Sequence, residues 1–269
     1  MVKFPSSFQS LSRDFKISKS FQRLSSGTRI ASAADDPAGL SVATSLSASI
    51  ASLSEASKNI SYAVSRIDIA DSALSQVSSL TGELQALATQ AANGTLSDDQ
   101  RGAIQAQYEQ LTQEIQRIGA TTEFNGQPVL DGSALVTQVG IDSSSSSQVA
   151  TPGINLSQLA AGLTSQSLAS QSSATAAIDA IAQVTQNISA AQGQLGASGA
   201  RIEKVRDLNE VIKENFAASR ARIVDLDVAE ETARLTAQTI LQNANTALSA
   251  QAGKLNASSV LNLLGGGKK

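Results

Sequence analysis

Three adjacent carboxylate pairs, Asp35-Asp36, Asp98-Asp99 and Glu230-Glu231, are the residues of this sequence whose type and spacing best suit chemistry. Paired carboxylates serve general acid–base catalysis or hold a hard cation. None is followed by the ligand spacing of a calcium loop. Each stands where a helix is about to begin, a place where negative charge is favoured by the helix dipole. The other routes to catalysis are closed by composition. With no histidine there is no Ser-His-Asp triad and no imidazole ligand. With no cysteine there is no thiolate chemistry, no disulfide and no cysteine-based metal site. None of the nine lysines has a serine three residues before it, so the serine–lysine signature is missing. Gly193, Gly196 and Gly199 are spaced like a phosphate cradle, but they follow a helical pattern and no Gly-Lys-Ser/Thr ending occurs. Close helix approach is the expected reason for them. The chain is therefore expected to be no enzyme, with no catalytic, cofactor or metal site. A carboxylate-only hydrolase, the enzyme reading that survives, would need those pairs to converge in a concave pocket.

The elements that would position any such residues are more telling. Apolar residues from Leu46 to Leu74 alternate in steps of three and four, and Leu46, Leu53, Ile60, Ile67 and Leu74 form an unbroken seven-residue repeat. Such a repeat is a coiled-coil seam. Asp36-Pro37 supplies a start signal and Asn93-Gly94 a stop. From Leu46 to Asn93 alone the rod is roughly 70 Å long. Ser97 followed by Gln100 has capping-box spacing and opens a second helix with Ile104, Tyr108, Leu111, Ile115 and Ile118 on one face. Asn125-Gly126 and Asp131-Gly132 then predict one or two short hairpins, and the five serines at 143–147 predict a loop. The heptad returns at Ile181, Ile188, Leu195 and Ile202, with Asn209 in the same column as a register device.

Both ends carry apolar stripes. Phe4, Phe8, Leu11 and Phe15 lie at one end, and Leu241, Leu248, Leu255, Leu261 and Leu264 at the other. These nine are the candidate self-assembly residues, because end helices of this kind need a partner surface to cover them. The fold expected is mainly α: a long coiled-coil-like helical rod formed by the N- and C-terminal halves, with a short β-hairpin region between them. Residues 1–36 are expected to form an N-terminal helix and linker, 37–222 the rod with a hairpin and loop region at about 124–172, and 223–269 a C-terminal helix. A net charge of −3 argues against nucleic-acid binding, and no stretch is apolar enough to insert in a membrane. The N-terminus lacks a signal-peptide pattern, so if the protein leaves the cell it does so by a route other than a cleaved signal.

Several local sequences carry a resemblance. Leu24-Ser-Ser-Gly-Thr-Arg-Ile30 with Ala34-Asp-Asp-Pro-Ala-Gly-Leu40 resembles the N-terminal signature of bacterial flagellin. Ala91-Ala-Asn-Gly-Thr95, Thr122-Glu-Phe-Asn-Gly126 and Leu130-Asp-Gly132 are similar to its next landmarks, and Ser219-Arg-Ala-Arg-Ile-Val-Asp-Leu-Asp227, Glu230-Glu231, Thr239-Ile-Leu-Gln242 and Val260-Leu-Asn-Leu-Leu264 to its C-terminal ones. The resemblance implies a structural subunit that self-assembles into the helical flagellar filament, a homopolymer outside the cell that is the propeller for swimming. It implies end helices that fold on assembly to line a central channel, and export unfolded through that channel with the help of an export chaperone. Hook-associated junction and cap proteins are the implied further partners. About 45 residues separate Gly132 from Ile178, so this resembles a minimal flagellin without outer inserted domains. The opening Val-Lys-Phe-Pro-Ser-Ser and the closing Gly-Gly-Gly-Lys-Lys depart from the family pattern. Many flagellins contact a vertebrate innate-immune receptor through an arginine, a leucine and a glutamate. Here those positions hold Glu83, Leu87 and Gln107, so only the leucine is kept and weak or absent receptor activation is expected. A hook–filament junction protein shares the helical layout and is the alternative reading.

Overall fold

The computed structural model describes the backbone of residues 6–265 and the side chains of residues 14–251. In chain order the elements are α1 (Ser6–Ser26), α2 (Pro37–Ala91), α3 (Asp98–Thr121), β1 (Glu123–Phe124), β2 (Gln127–Pro128), β3 (Leu135–Gln138), β4 (Gln148–Thr151), the single turns α4 (Leu156–Leu159) and α5 (Ala161–Thr164), then α6 (Gln171–Val224) and α7 (Val228–Gly265). The layout is the mainly helical one expected, with short strands in the middle. The chain forms two compact units: one from Ser49 to Glu214, the other from the segments up to Ala48 and from Asn215 onwards.

In the Ser49–Glu214 unit the heptad columns make the core. Ile60, Leu74, Ile181, Ile188 and Ile202 are fully covered, and Leu53, Ile67 and Leu195 nearly so. The register of α2 against α6 is antiparallel. Gln192 Nε2 donates to Asp71 Oδ1 at 3.3 Å, while Gly199 lies beside Ile67. Burying aliphatic side chains of this size contributes about 1.5–3 kcal/mol each. α3 begins with the expected capping box, Ser97 and Gln100 satisfying each other's backbone. It adds Ile104, Tyr108, Ile115 and Ile118 to the same core. Tyr108 is 1% exposed and its hydroxyl donates to Leu163 O at 3.0 Å, which ties α3 to α5. Burial pushes the Tyr108 phenol up to about 12.

Two hairpins form, but only one turns at a dipeptide named above. Asn125 (φ 53°) and Gly126 (φ 74°) make the two-residue connection between β1 and β2, both in the left-handed region that such a turn requires. Asp131-Gly132 does not tip a hairpin. Asp131 forms a bridge with Asn155, and a side chain on Gly153 would overlap the Gly132 carbonyl. β3 and β4 pair antiparallel from Leu135↔Thr151 to Gln138↔Gln148. The serine loop between them is tied by Asp142 Oδ1, which accepts from Ser144 N (2.9 Å), Ser144 Oγ (2.5 Å) and Ser147 Oγ (2.6 Å). Asn209 works differently from the expected register device. It is buried on α6 and donates to Val139 O at 2.6 Å, so it pins the β3–β4 hairpin to the helix.

The α2 surface is short and hydroxyl-rich. Ser47, Ser54, Ser57, Ser61 and Ser65 each donate to the carbonyl four residues back, at 2.8–3.0 Å. The three glycines of α6 correct the expected close helix approach. A Cβ on Gly193 or Gly196 would meet nothing within 4 Å, and one on Gly199 would sit at ordinary contact distance, 3.7 Å, from Ile67. Gly193 and Gly196 thus cost helix stability with no packing return. Gly193→Ala and Gly196→Ala should each stabilise the folded chain by about 1 kcal/mol, measured by denaturant unfolding of the subunit.

Candidate functional site

Each carboxylate pair has at least one member that serves a helix end. Asp36 Oδ1 accepts from Gly39 N at 2.8 Å and caps α2. Asp98 and Asp99 lie in the first turn of α3, Asp98 paired with Arg101 at 3.2 Å. Asp227 Oδ1 caps α7 through Ala229 N and Glu230 N, and Glu230 pairs with Arg234 at 2.6 Å. Among the described residues no group of three potential metal ligands occurs, and no helix is long and apolar enough to cross a membrane.

The arrangement that stands out is in the unit built from the two chain ends. α1 packs on α7. Gln242 Nε2 donates to Asp14 Oδ1 at 2.5 Å across that pair. The linkers that follow α1 and α6 bind each other as well. Thr28 bridges Asp225, Arg29 N donates to Val224 O at 2.6 Å, and Leu226 N donates to Gly27 O at 3.1 Å. The Arg29 guanidinium adds a bond to Ile223 O at 2.6 Å. Asp35 closes the joint. Its carboxylate is 5% exposed, ion-paired with Lys19, 3.9 Å from the Arg23 guanidinium, and accepts from Ala31 N and Ser32 N at 3.2 and 3.1 Å. The Lys19 ammonium, helped by those backbone N–H groups, holds the Asp35 carboxyl at about 2.

Although held together, these helices leave several large apolar side chains in solvent. Phe15 (69%), Leu241 (56%) and Leu248 (65%) are exposed, as are Phe21 and Ile240, which the sequence reading had not chosen. The signal for Ile240 was its place beside Leu241 in Thr239-Ile-Leu-Gln242. Phe8, Leu11, Leu255, Leu261 and Leu264 have helical backbone, but their side chains lie outside the described residues, and Phe4 lies outside them altogether. Large apolar side chains exposed on two paired helices are the kind of feature that protein contacts cover. Of the three receptor positions, Glu83 and Gln107 are exposed, while Leu87 is buried in the core of the Ser49–Glu214 unit.

The Asp35 contacts have a consequence for acid stability. An unfolded aspartate titrates near 3.8 and the folded one near 2, so the fold favours the ionised form. Its stabilising contribution is complete above about pH 4 and is lost as pH falls from there towards 2. Thermal unfolding of the subunit between pH 2 and 5 should show a smaller acid dependence in Asp35→Asn than in the unmodified chain.

Comparison with known proteins converges on one family. Residues 10–134 match the bacterial flagellin N-terminal helical region, and residues 178–264 match the bacterial flagellin C-terminal helical region. The chain is 34% identical over 236 residues to the flagellin of Halalkalibacterium halodurans, covering 87% of each chain. It is 31% identical over 268 residues to the flagellar filament 33 kDa core protein of Treponema phagedenis, covering 93% of each. The solved structure of Bacillus cereus flagellin is similar at a TM-score of 0.51 and 26% identity, over 56% of this chain and 88% of that one.

Proposed function

This chain belongs to the bacterial flagellin family and is a subunit of the flagellar filament, and on that premise we propose that α1 and α7 are its polymerisation surface. The observation that carries the reading is the exposed set Phe15, Phe21, Ile240, Leu241 and Leu248 on two helices that already grip each other. Covering one such side chain against a neighbouring subunit contributes about 1.5–3 kcal/mol. Repeated along a polymer, that is enough to drive addition. Phe4, Phe8, Leu11, Phe15, Leu241, Leu248, Leu255, Leu261 and Leu264 belong to this surface, and the end helices complete their ordering as neighbours cover them.

The inner domain comprises residues 1–36 and 223–269, and the rod residues 37–222. The flagellin family is a structural one, and in keeping with it the chain performs no catalysis. Its place in the filament puts it outside the cell. Export runs unfolded through the flagellar channel without a cleaved signal, attended by an export chaperone, and the filament ends meet hook-associated junction and cap proteins. The junction role itself is not favoured for this chain, since relatives at 30% identity or above over nearly the whole length are named flagellins or filament core proteins.

Electron microscopy after adding filament seeds tests the surface. The unmodified chain should form long uniform filaments. Phe15→Asp with Leu248→Asp should stay monomeric while keeping the helical circular dichroism of the parent. Filaments of normal length from that variant would refute the assignment. The immune-receptor positions give a second expectation. With Glu83 reversing a charge, Leu87 buried and Gln107 lacking the carboxylate, a receptor reporter assay should register weak or no response. A response equal to that of a flagellin holding all three contact residues would reverse this reading.

A further inference from the structure

Two buried polar atoms of the Ser49–Glu214 unit lack a hydrogen-bond partner among the described residues, and the side chains that carry them line the same small cavity. They are Arg66 Nε on α2 and Thr151 Oγ1 on β4. Thr151 is 4% exposed, and Ile67, Ile154 and Leu195 form apolar parts of the cavity wall. Ser133 also borders it, but its hydroxyl donates to Asp131 Oδ2 at 2.8 Å. The cavity measures about 20 Å³. One water molecule needs about 10–15 Å³ of such space. The surroundings disfavour an anion. The Ser133 N–H and hydroxyl, with the Arg66 charge at longer range, hold the Asp131 carboxyl below its ordinary range. The Arg66 charge is therefore already faced by a carboxylate.

We infer that this cavity is a binding site for one integral water molecule, which accepts from the Arg66 Nε–H and donates to Thr151 Oγ1. A buried guanidinium N–H or hydroxyl left unpaired is costly, and protein interiors satisfy such groups with protein atoms or ordered water. The site also accounts for how the second end of the β3–β4 hairpin is held. At the Gln138 end, Asn59 and Asn209 donate directly to the carbonyls of Gln138 and Val139. At the Leu135–Thr151 end, among the described residues, no side chain of α2 or α6 bonds the hairpin directly. Arg66 Nη2 donates to Pro128 O at 3.3 Å. With the water, this one guanidinium ties α2 to both β2 and β4. A bridge of this kind is nearly as favourable in enthalpy as a direct bond. It lies inside one subunit and does not depend on assembly.

A crystal structure of the full chain, soaked in sodium bromide, tests the occupant. The expected result is a single oxygen-sized peak within hydrogen-bonding distance of both atoms, with no anomalous signal from bromide. A bromide signal there, a direct bond between Arg66 and Thr151, or a site with no peak would each overturn the inference. A substitution supplies a second, independent sign. Thr151→Val keeps the shape of the side chain and removes the acceptor of the water. Its unfolding equilibrium constant in a denaturant titration should rise about tenfold, the effect of stranding a buried donor. If the hydroxyl had no water to lose, valine would instead relieve an unpaired polar group. A valine variant as stable as the parent, or more stable, would therefore also overturn the inference.

Discussion

The antiparallel seam of α2 against α6 is the constraint on which the rest of the Ser49–Glu214 unit depends. Its residues recur every seven positions, so a single slip of register would carry Ile60, Ile67 and Leu74 out of the core together. Once that register is set, every attachment has a fixed address. Asn209 sits where it reaches Val139 O, Asn59 Nδ2 where it reaches Gln138 O at 3.2 Å, and Tyr108 where it reaches Leu163 O. The hairpins are too short to stand alone. They are held by polar bonds to helices whose own position the seam determines.

The other unit is stabilised by a different kind of interaction. Its joint is made of linker backbone and a buried carboxylate: Thr28 with Asp225, Arg29 with Val224 and Ile223, and Asp35 with Lys19. Hydrogen bonds of this type each contribute about 0.5–1.5 kcal/mol, less than a buried leucine, but they fix direction as well as distance. They let α1 and α7 stay paired while Phe15, Phe21, Leu241 and Leu248 remain exposed. A subunit of a polymer needs that combination, because side chains consumed in its own core would leave nothing for the neighbour.

Much of this was legible in the residues. The heptads, the Ser97–Gln100 box, the Asp36-Pro37 start and the Asn125-Gly126 turn are local or periodic signals, and each led to the element it implied. What was hidden depends on contacts distant in sequence. Arg101 is such a case. It is buried, and its guanidinium donates at 3.0 Å to Ala91 O and to Asn93 O, closing the carbonyl end of α2. No spacing rule announces an arginine reaching back ten residues. Asn209 reads as a register device in an apolar column, whereas its partner is the Val139 carbonyl of a hairpin. The α6 glycines misled because a glycine run usually signals close packing, whereas here two of three face open space. The apolar stripes at the two chain ends were legible as stripes. Ile240 stands outside the heptad column of Leu241 and Leu248, and its exposure is a property of the fold and not of that column.

The serine-coated face of α2 bears on how such a subunit meets its neighbours. Covering a lysine or arginine side chain costs about 1.5–2 kcal/mol of lost rotamer freedom, and the long stem must first be stilled. A serine whose hydroxyl already donates to the carbonyl four residues back has far less freedom to lose, and its donor needs no water to satisfy it. Water released from that face leaves no unsatisfied donors behind. Two such helices can therefore lie against each other at short distance with little ordering cost and few counterions to displace. A contact made on that face depends more on fit than on salt.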